Sequence, residues 1–250
     1  RSSFVKLRSV LSQALRFASR RNMATRNIAP DVIIPARAAK PKEKRSYTPE
    51  EALRLFEALD SERLGTLFLI AATVGTRPGE VVGLRWSNVS LDARTITLAS
   101  ARQRTTSGPA VVDQLKTTGS YRTVKLPARV IQALRAHRIT QLEERERAER
   151  WDDPDLVFTT QVGTLIDDAN LRRQLRRITE AAGLPSLTPN ELRHTAASIL
   201  SDDGTPLEEI ADLLGHSSTR MLEQTYRHRV RPSVDAAVNT FDKLLGADDG

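Results

Sequence analysis

The chain has 250 residues, 39% hydrophobic and 28% charged, and its formal net charge is +7, a balance typical of a globular domain with a substantial core. It contains no cysteine, which excludes disulfides, thiolate metal sites and cysteine nucleophiles. Its longest apolar stretch, residues 64–74, is too short to cross a bilayer, and bases interrupt residues 4–19, so we expect neither a membrane protein nor a secreted one.

The first 45 residues carry the positive charge. They hold twelve bases and two acids, a net of +10, whereas the rest of the chain holds 26 bases and 29 acids, a net of −3. Such a basic arm is expected either to bind nucleic acid or to keep the protein in solution, and charge alone favours neither role. Apolar residues at helical spacing predict an amphipathic helix that ends near Arg21, and prolines and bases after it predict a linker. Because the chain begins with Arg1, we expect a piece of a longer protein.

Three copies of the sequence Thr-Pro-x-Glu, at residues 48–51, 188–191 and 205–208, predict the starts of three helices. Threonine caps free N–H groups, proline fits the first helical position, and glutamate completes a capping box. Residues 63–74 predict a mostly apolar, buried helix that ends at Gly75. Arg77 precedes Pro78, so it is predicted to lie in the turn before a short helix.

The middle of the chain predicts one small sheet. Residues 95–98 alternate like a strand, residues 111–116 and 121–126 flank a Thr-Thr-Gly-Ser turn and predict a β-hairpin, and residues 156–158 predict a short strand. Helices are predicted over residues 128–149 and then near residues 169–182, 188–203, 206–214, 217–228 and 232–245. The prediction is therefore a mainly α domain with a small antiparallel β-sheet.

Several common kinds of site are not indicated by the sequence. The four histidines lack a metal-ligand spacing, and there is neither a Gly-rich phosphate loop nor a Gly-x-Ser-x-Gly elbow. Basic residues and one tyrosine remain, each at a predicted turn or helix end. They occur in Thr-Arg-Pro-Gly-Glu at residues 76–80, at Lys116, in Glu-Leu-Arg-His-Thr at 191–195, in Leu-Gly-His-Ser-Ser at 214–218, and in Tyr-Arg-His at 226–228.

In this order, over residues 46–245, these motifs resemble the tyrosine recombinase, or phage integrase, family. The resemblance implies the family's mainly α catalytic domain over residues 46–250, the last helix of a core-binding domain over residues 1–28, and a basic linker over residues 29–45. It implies a site-specific recombinase or integrase that cleaves and rejoins DNA strands through a 3′-phosphotyrosine, with neither ATP, metal nor another cofactor. Other parts of the core-binding domain are expected outside this sequence.

The resemblance also implies partners. These are double-stranded DNA at specific attachment sites, further copies of the chain in a tetramer on synapsed DNA, and DNA-bending accessory proteins, with no membrane. The expected location is the cytoplasm, at the nucleoid. We expect DNA contacts from the end of the linker and from the arginines of one predicted helix, although those arginines also fit an ordinary solvated face: Lys42, Lys44, Arg45, Arg172, Arg173, Arg176 and Arg177.

Four matching residues receive direct roles from the resemblance. Tyr226 attacks the scissile phosphate, and the forked guanidiniums of Arg77 and Arg193 hold its nonbridging oxygens. Lys116 protonates the leaving 5′-oxygen as a general acid. Lys125 is an alternative to Lys116, since both lie in the predicted hairpin.

The remaining positions have less direct roles. His216 donates to a nonbridging oxygen or orients the nucleophile, and Glu80 holds Arg77 or His216 in place. Asn190 stands where the family usually has His or Lys, and an amide cannot exchange a proton near neutral pH. Asn190 therefore does not fit a general-base role.

Two alternatives to the function remain. A type IB topoisomerase uses the same phosphotyrosine step to relax DNA, and a DNA-binding regulator with this fold would have lost cleavage, an idea to which Asn190 gives some weight. Tyr47 and Tyr121 are alternatives to Tyr226 as nucleophile, but neither has a histidine at a fitting distance in the sequence.

Overall fold

The structure, a computed structural model, describes residues 2–34, 45–106, 108–113, 121–153 and 155–215. The chain divides into two compact units, Arg1–Lys44 and Arg45–Gly250. The described residues are mainly α-helical with short antiparallel strands, and no helix among them is both long and apolar enough to span a bilayer.

The first unit is built on one amphipathic helix, α1 (Ser2–Arg20), which confirms the predicted helix. A 3-10 turn, Ala29–Asp31, follows it. Asn27 Nδ2 donates to the carbonyl of Ser12 at 3.1 Å, so the chain after α1 folds back along it. Several apolar side chains of α1 are exposed, including Leu7 at 65%.

Seven helices form most of the described part of the second unit. They are α2 (Pro49–Leu59), α3 (Gly65–Thr73), α4 (Pro78–Val82), α5 (Ala128–Arg147), α6 (Asp168–Ala181), α7 (Pro189–Asp202) and α8 (Leu207–Leu214). A short 3-10 turn, Trp86–Asn88, follows α4.

Capping chemistry starts two of these helices as predicted. At α2, Thr48 Oγ1 accepts from the Glu51 N–H at 3.2 Å, and the Glu51 carboxylate accepts from the Thr48 N–H at 3.1 Å. The same residue pair opens α7, where the Glu191 carboxylate accepts from the Thr188 N–H at 2.7 Å and from the Thr188 hydroxyl at 2.8 Å. The third predicted box is wrong, although its helix is present: α8 begins at Leu207, and Pro206, which has no side-chain donor or acceptor, stands at the capping position.

Helix α3 is the centre of the core. It is apolar on all sides and therefore buried, and Leu67, Phe68 and Ile70 are each at most 1% exposed. Helices α2, α4, α5 and α7 all contact it. Because α7 packs along α3 and α8 packs on α7, the ends of these three helices are brought together.

Short antiparallel strands form two small sheets. The first contains β1 (Val89–Ser90), β2 (Thr95–Leu98) and β5 (Arg122–Lys125) in the order β1-β2-β5, with Ile96 opposite both Val89 and Val124. The second pairs β3 (Ala101–Thr105) with β4 (Gly108–Val112). Over the described residues, the prediction of a single sheet is thus corrected to two.

The predicted hairpin over residues 111–126 is wrong. Its two arms lie in different sheets, since β4 pairs with β3 and β5 pairs with β2. A hairpin closed between Thr105 and Gly108 has a shorter loop than the predicted one, which turns at residues 117–120, and its closure therefore costs less conformational entropy. β3 was missed because its sequence, Ala-Arg-Gln-Arg-Thr, contains few residues that favour strands.

The predicted strand at residues 156–158 is reduced to one bridge, between Arg85 and Leu156. Side chains of α5 occupy the carbonyls that a longer ladder would use. Gln141 Nε2 donates to the carbonyls of Leu156 and Val157 at 2.9 and 3.0 Å, and the His137 ring contacts the Val157 carbonyl at 2.7 Å.

Candidate active site

The turn that follows α3 lies at the centre of the candidate site. Gly75 ends the helix with a φ of +68°, a left-handed conformation that favours glycine. A Cβ at this position would lie 2.2 Å from Leu214 Cδ2, so the last turn of α8 packs directly on the Gly75 backbone. Arg77 is extended before Pro78, at φ −70° and ψ 147°, as the sequence predicted.

Two arginines that are far apart in the sequence meet around this turn. Arg193, 5% exposed on α7, donates from Nη1 to the Gly75 carbonyl at 2.6 Å. Arg77, whose side chain is 41% exposed, donates from Nη2 to the Gly215 carbonyl at 3.3 Å. The ends of α3 and α8 thus fix both guanidiniums.

Glu80 joins Arg77 to the sheet. Its carboxylate, 3% exposed, accepts from Arg77 Nη1 at 2.6 Å, from the Arg77 backbone N–H at 3.0 Å and from Arg122 Nη2 at 3.1 Å. Burial by itself raises the pKa of Glu80, but the positive charge of Arg122 and the hydrogen bonds from Arg77 and Arg122 hold that pKa below its ordinary value. Glu80 is therefore ionised at neutral pH and contacts Arg77, one of its two predicted partners.

Arg122 is the residue that sequence reasoning missed. Its Nε donates to the Leu213 carbonyl at 2.7 Å, in the last turn of α8. Alternation along β5 was the available signal, because Arg122 shares a face with buried Val124 while Lys125 points to the exposed face. Lys125, the alternative to Lys116, is thus directed away from the face that meets Glu80.

Five of the predicted site residues lie outside the described residues: Lys42, Lys44, Lys116, His216 and Tyr226. The description of the chain reaches Gly215, which caps α8 in the left-handed conformation, at φ +67° and ψ +47°, as the sequence indicated. Arg77 therefore contacts the residue directly before His216. Asn190 is exposed in the first turn of α7, one helical turn before Arg193.

The two alternative tyrosines differ in their surroundings. Tyr47 is 2% exposed, and its hydroxyl donates to the Pro185 carbonyl at 2.5 Å. Burial, together with the negative charge of Glu51, raises the pKa of Tyr47 to about 12, which makes it a poor nucleophile. Tyr121 is 65% exposed, before β5.

The four arginines of α6 are all exposed, but two of them form ion pairs. Arg177 pairs with Glu62, and Arg176 lies 3.9 Å from Glu180. In the described part of the chain, Arg172 and Arg173 form no ion pair, so their charges are the more available to a phosphate backbone. Arg45, at the end of the linker, pairs with Glu51 at 3.3 Å.

The site residues lie within a stretch of sequence that known proteins share. A sequence profile of the Phage integrase family matches residues 45–231. The tyrosine recombinase XerC-like protein of Caldanaerobacter subterraneus subsp. tengcongensis is 32% identical over 219 residues, which cover 81% of this chain and 55% of that protein. An integrase of Streptomyces ambofaciens is 31% identical over 255 residues, which cover 97% of this chain and 64% of that protein. The chain thus spans less than two thirds of either relative.

A solved structure has the same fold. The integrase of the transposon Tn1549, in complex with a circular intermediate DNA, matches this chain with a TM-score of 0.73 at 19% identity, over 94% of this chain and 77% of that one. The predicted fold class is therefore confirmed.

Proposed function

The chain belongs to the phage integrase family, and on that premise we propose that it is a tyrosine-type site-specific recombinase, a DNA strand transferase. One observation carries the proposal. Residues from α3, α7 and α8 bring Arg77 and Arg193 to one turn, and Arg77 bonds to the residue directly before His216. Tyr226 follows in the sequence, in the helix predicted over residues 217–228.

In the proposed reaction, the Tyr226 hydroxyl oxygen attacks the scissile phosphorus. A bond from phosphorus to the tyrosine oxygen forms as the bond to the 5′-oxygen breaks, which leaves a 3′-phosphotyrosine and a free 5′-hydroxyl. The proton of the Tyr226 hydroxyl passes to His216 or to water, and Lys116 donates a proton to the leaving oxygen. Attack by another strand's 5′-hydroxyl reverses these steps. The covalent bond keeps the phosphodiester energy, so rejoining needs no ATP.

The proposed role of the arginines follows from charge and geometry. Negative charge gathers on the nonbridging oxygens in the transition state, and forked guanidiniums stabilise it with charge-assisted hydrogen bonds. Arg193 is fixed by the Gly75 carbonyl, and Arg77 by Glu80 and the Gly215 carbonyl. Their orientation is set during folding, so little reorganisation remains when DNA arrives.

Other proposed features depend on the resemblance. His216 donates a hydrogen bond to the phosphate or orients Tyr226. Asn190 donates a hydrogen bond to the phosphate. Residues 1–28 are proposed as the last helix of a core-binding domain, with a linker over residues 29–45. The proposed assembly is a tetramer on two attachment-site duplexes at the nucleoid, aided by DNA-bending proteins; DNA as partner is supported by the DNA-bound integrase of Tn1549.

The test is covalent capture on DNA of undefined sequence. The protein is mixed with a library of duplexes that carry a randomised core and a nick beside it, so that cleavage releases a short strand and traps the covalent intermediate. We expect some of the DNA to remain covalently attached to the protein after denaturation. Sequencing of that DNA then identifies the cleavage site. Binding without attachment would support the non-cleaving regulator. Relaxation of a supercoiled plasmid carrying the site, without strand exchange between duplexes, would support the topoisomerase.

A further inference from the structure

Arg122 bonds to two parts of the candidate site, Glu80 and the last turn of α8. Its side chain is 9% exposed at the start of β5. Nη2 donates to the Glu80 carboxylate at 3.1 Å, and Nε donates to the Leu213 carbonyl at 2.7 Å. One guanidinium therefore connects the carboxylate that holds Arg77 to the last turn of α8.

Two arginines donate hydrogen bonds to the Glu80 carboxylate. Arg77 bonds to Oε1, and Arg122 bonds to Oε2. Both arginines also bond to carbonyls near the end of α8, Gly215 and Leu213 respectively, where helical carbonyls lack partners and carry the negative end of the dipole. Loss of either guanidinium leaves a buried carboxylate with less compensating charge.

We propose that Arg122 is a positioning residue for strand cleavage. It fixes the Glu80 carboxylate against the last turn of α8, so that Arg77 is held in the orientation that meets the scissile phosphate. Arg122 is nearly buried and acts through these groups, without touching DNA. The inference rests on the proposed function and adds a residue to it.

Among the described residues, the charges that face Glu80 come from two elements, Arg77 at the start of α4 and Arg122 on β5. The last turn of α8 presents neutral carbonyls to the two arginines. Basic side chains on the neighbouring β3 and α7 bond elsewhere, Arg102 to Asp168 and Arg193 to the Gly75 carbonyl. Removal of Arg122 therefore leaves the burial of Glu80 in place with only one of its two positive partners, and the pKa of Glu80 rises.

The first test needs no DNA. The Glu80 carboxyl carbon is followed by NMR through a pH titration of the full 250-residue chain. In Arg122→Gln, we expect the midpoint of Glu80 to move to higher pH. In Arg122→Lys, which keeps the charge and loses the fork, we expect it to stay near its starting value.

The second test measures single-turnover cleavage of the nicked duplex selected by covalent capture. Arg122→Gln should slow cleavage roughly 10- to 100-fold at neutral pH, the range for lost hydrogen bonds to charged groups, with DNA affinity unchanged. The acid limb of its pH profile should move to higher pH, because Glu80 takes up its proton earlier as the pH falls. Arg122→Lys should be slowed roughly 3- to 10-fold with the acid limb unmoved.

Arg63→Gln is the matched control. Arg63 also bonds to one carboxylate and one carbonyl, those of Glu144 and Thr159, at 2.5 to 2.8 Å, away from the site. This variant should lose stability, while the Glu80 titration, the cleavage rate and the acid limb stay unchanged. A merely structural role for Arg122 predicts that Arg122→Gln also loses stability while its cleavage rate and acid limb stay unchanged.

An unmoved Glu80 titration in Arg122→Gln overturns the inference, and so does a moved titration with an unchanged rate and pH profile. If Arg122→Gln does not fold, Arg122→Lys decides, because a full cleavage rate from it overturns the inference. Lack of cleavage by the unsubstituted chain instead contradicts the proposed function, and the Glu80 titration then still decides whether Arg122 holds the carboxylate.

Discussion

At the scale of single residues, Asn190 is the position that departs from the family pattern. It is exposed in the first turn of α7. If it donates one hydrogen bond to phosphate, Asn190→Ala should cost about 1.5–3 kcal/mol in the cleavage barrier, roughly a 10- to 100-fold loss of rate. Arg77→Ala and Arg193→Ala should lose more, since each removes a charge and a fork. Single-turnover cleavage measures all three.

Asn190→His is the companion variant. It restores the usual residue, so its rate should equal or exceed that of the unsubstituted chain, with a new pH dependence near the ordinary histidine pKa of about 6.5. An unchanged rate in Asn190→Ala, together with lower stability in denaturant, would assign Asn190 a structural role.

The surroundings of single residues were only partly predictable. Pro78 fixed the backbone of Arg77 locally, and the family motif indicated Glu80 as its partner. The bonds of Arg193 to Gly75 and of Arg122 to Leu213 are long-range, and they depend on how α7, α8 and β5 pack. A buried arginine on the inner face of a short strand is visible in the sequence only through its alternation with Val124.

At the scale of elements, the contact between the Gly75 turn and the end of α8 is the packing that assembles the site. Gly75→Ala forces a left-handed alanine, at about 1–2 kcal/mol, and places a Cβ against Leu214, at about 1–3 kcal/mol more for overpacking. Gly204→Ala is the matched control: its φ is +86°, and no atom of the described residues lies within 4 Å of a Cβ there.

Denaturant unfolding of the two variants measures this difference. In Gly204→Ala, the free energy of unfolding should fall only by the cost of the left-handed backbone. In Gly75→Ala, it should fall clearly further. Equal losses would show that α8 does not depend on close approach to Gly75.

Helices were more predictable than strand pairing. Capping boxes and apolar periodicity give helix starts and faces from a few neighbouring residues, and α2, α6 and α7 lie where they were predicted. The hairpin was wrong because the turn signal at residues 117–120 is local, whereas pairing of β2 with β5 and of β3 with β4 is decided by competing partners.

At the scale of the whole molecule, the net positive charge is concentrated in the first 45 residues. If five linker bases meet phosphates, replacing them by glutamine should lower the log–log salt slope of DNA binding by about four to five. The five are Arg37, Lys40, Lys42, Lys44 and Arg45.

The control for this charge variant removes the same number of charges from exposed positions in and after α5. They are Arg135, Arg138, Arg145, Arg147 and Arg150. Its slope should change little. Equal slopes for both variants and the unsubstituted chain would show that the arm acts as a solubilising segment.

Tyr226 is the proposed nucleophile of a DNA strand transferase. The covalent complex trapped on the nicked duplex is digested with nuclease and protease, and mass spectrometry locates the residue that carries the nucleotide. We predict the nucleotide on Tyr226, no covalent complex from Tyr226→Phe with DNA binding retained, and a normal complex from Tyr121→Phe. A nucleotide on any other residue, or an undiminished complex from Tyr226→Phe, would show that Tyr226 is not the nucleophile.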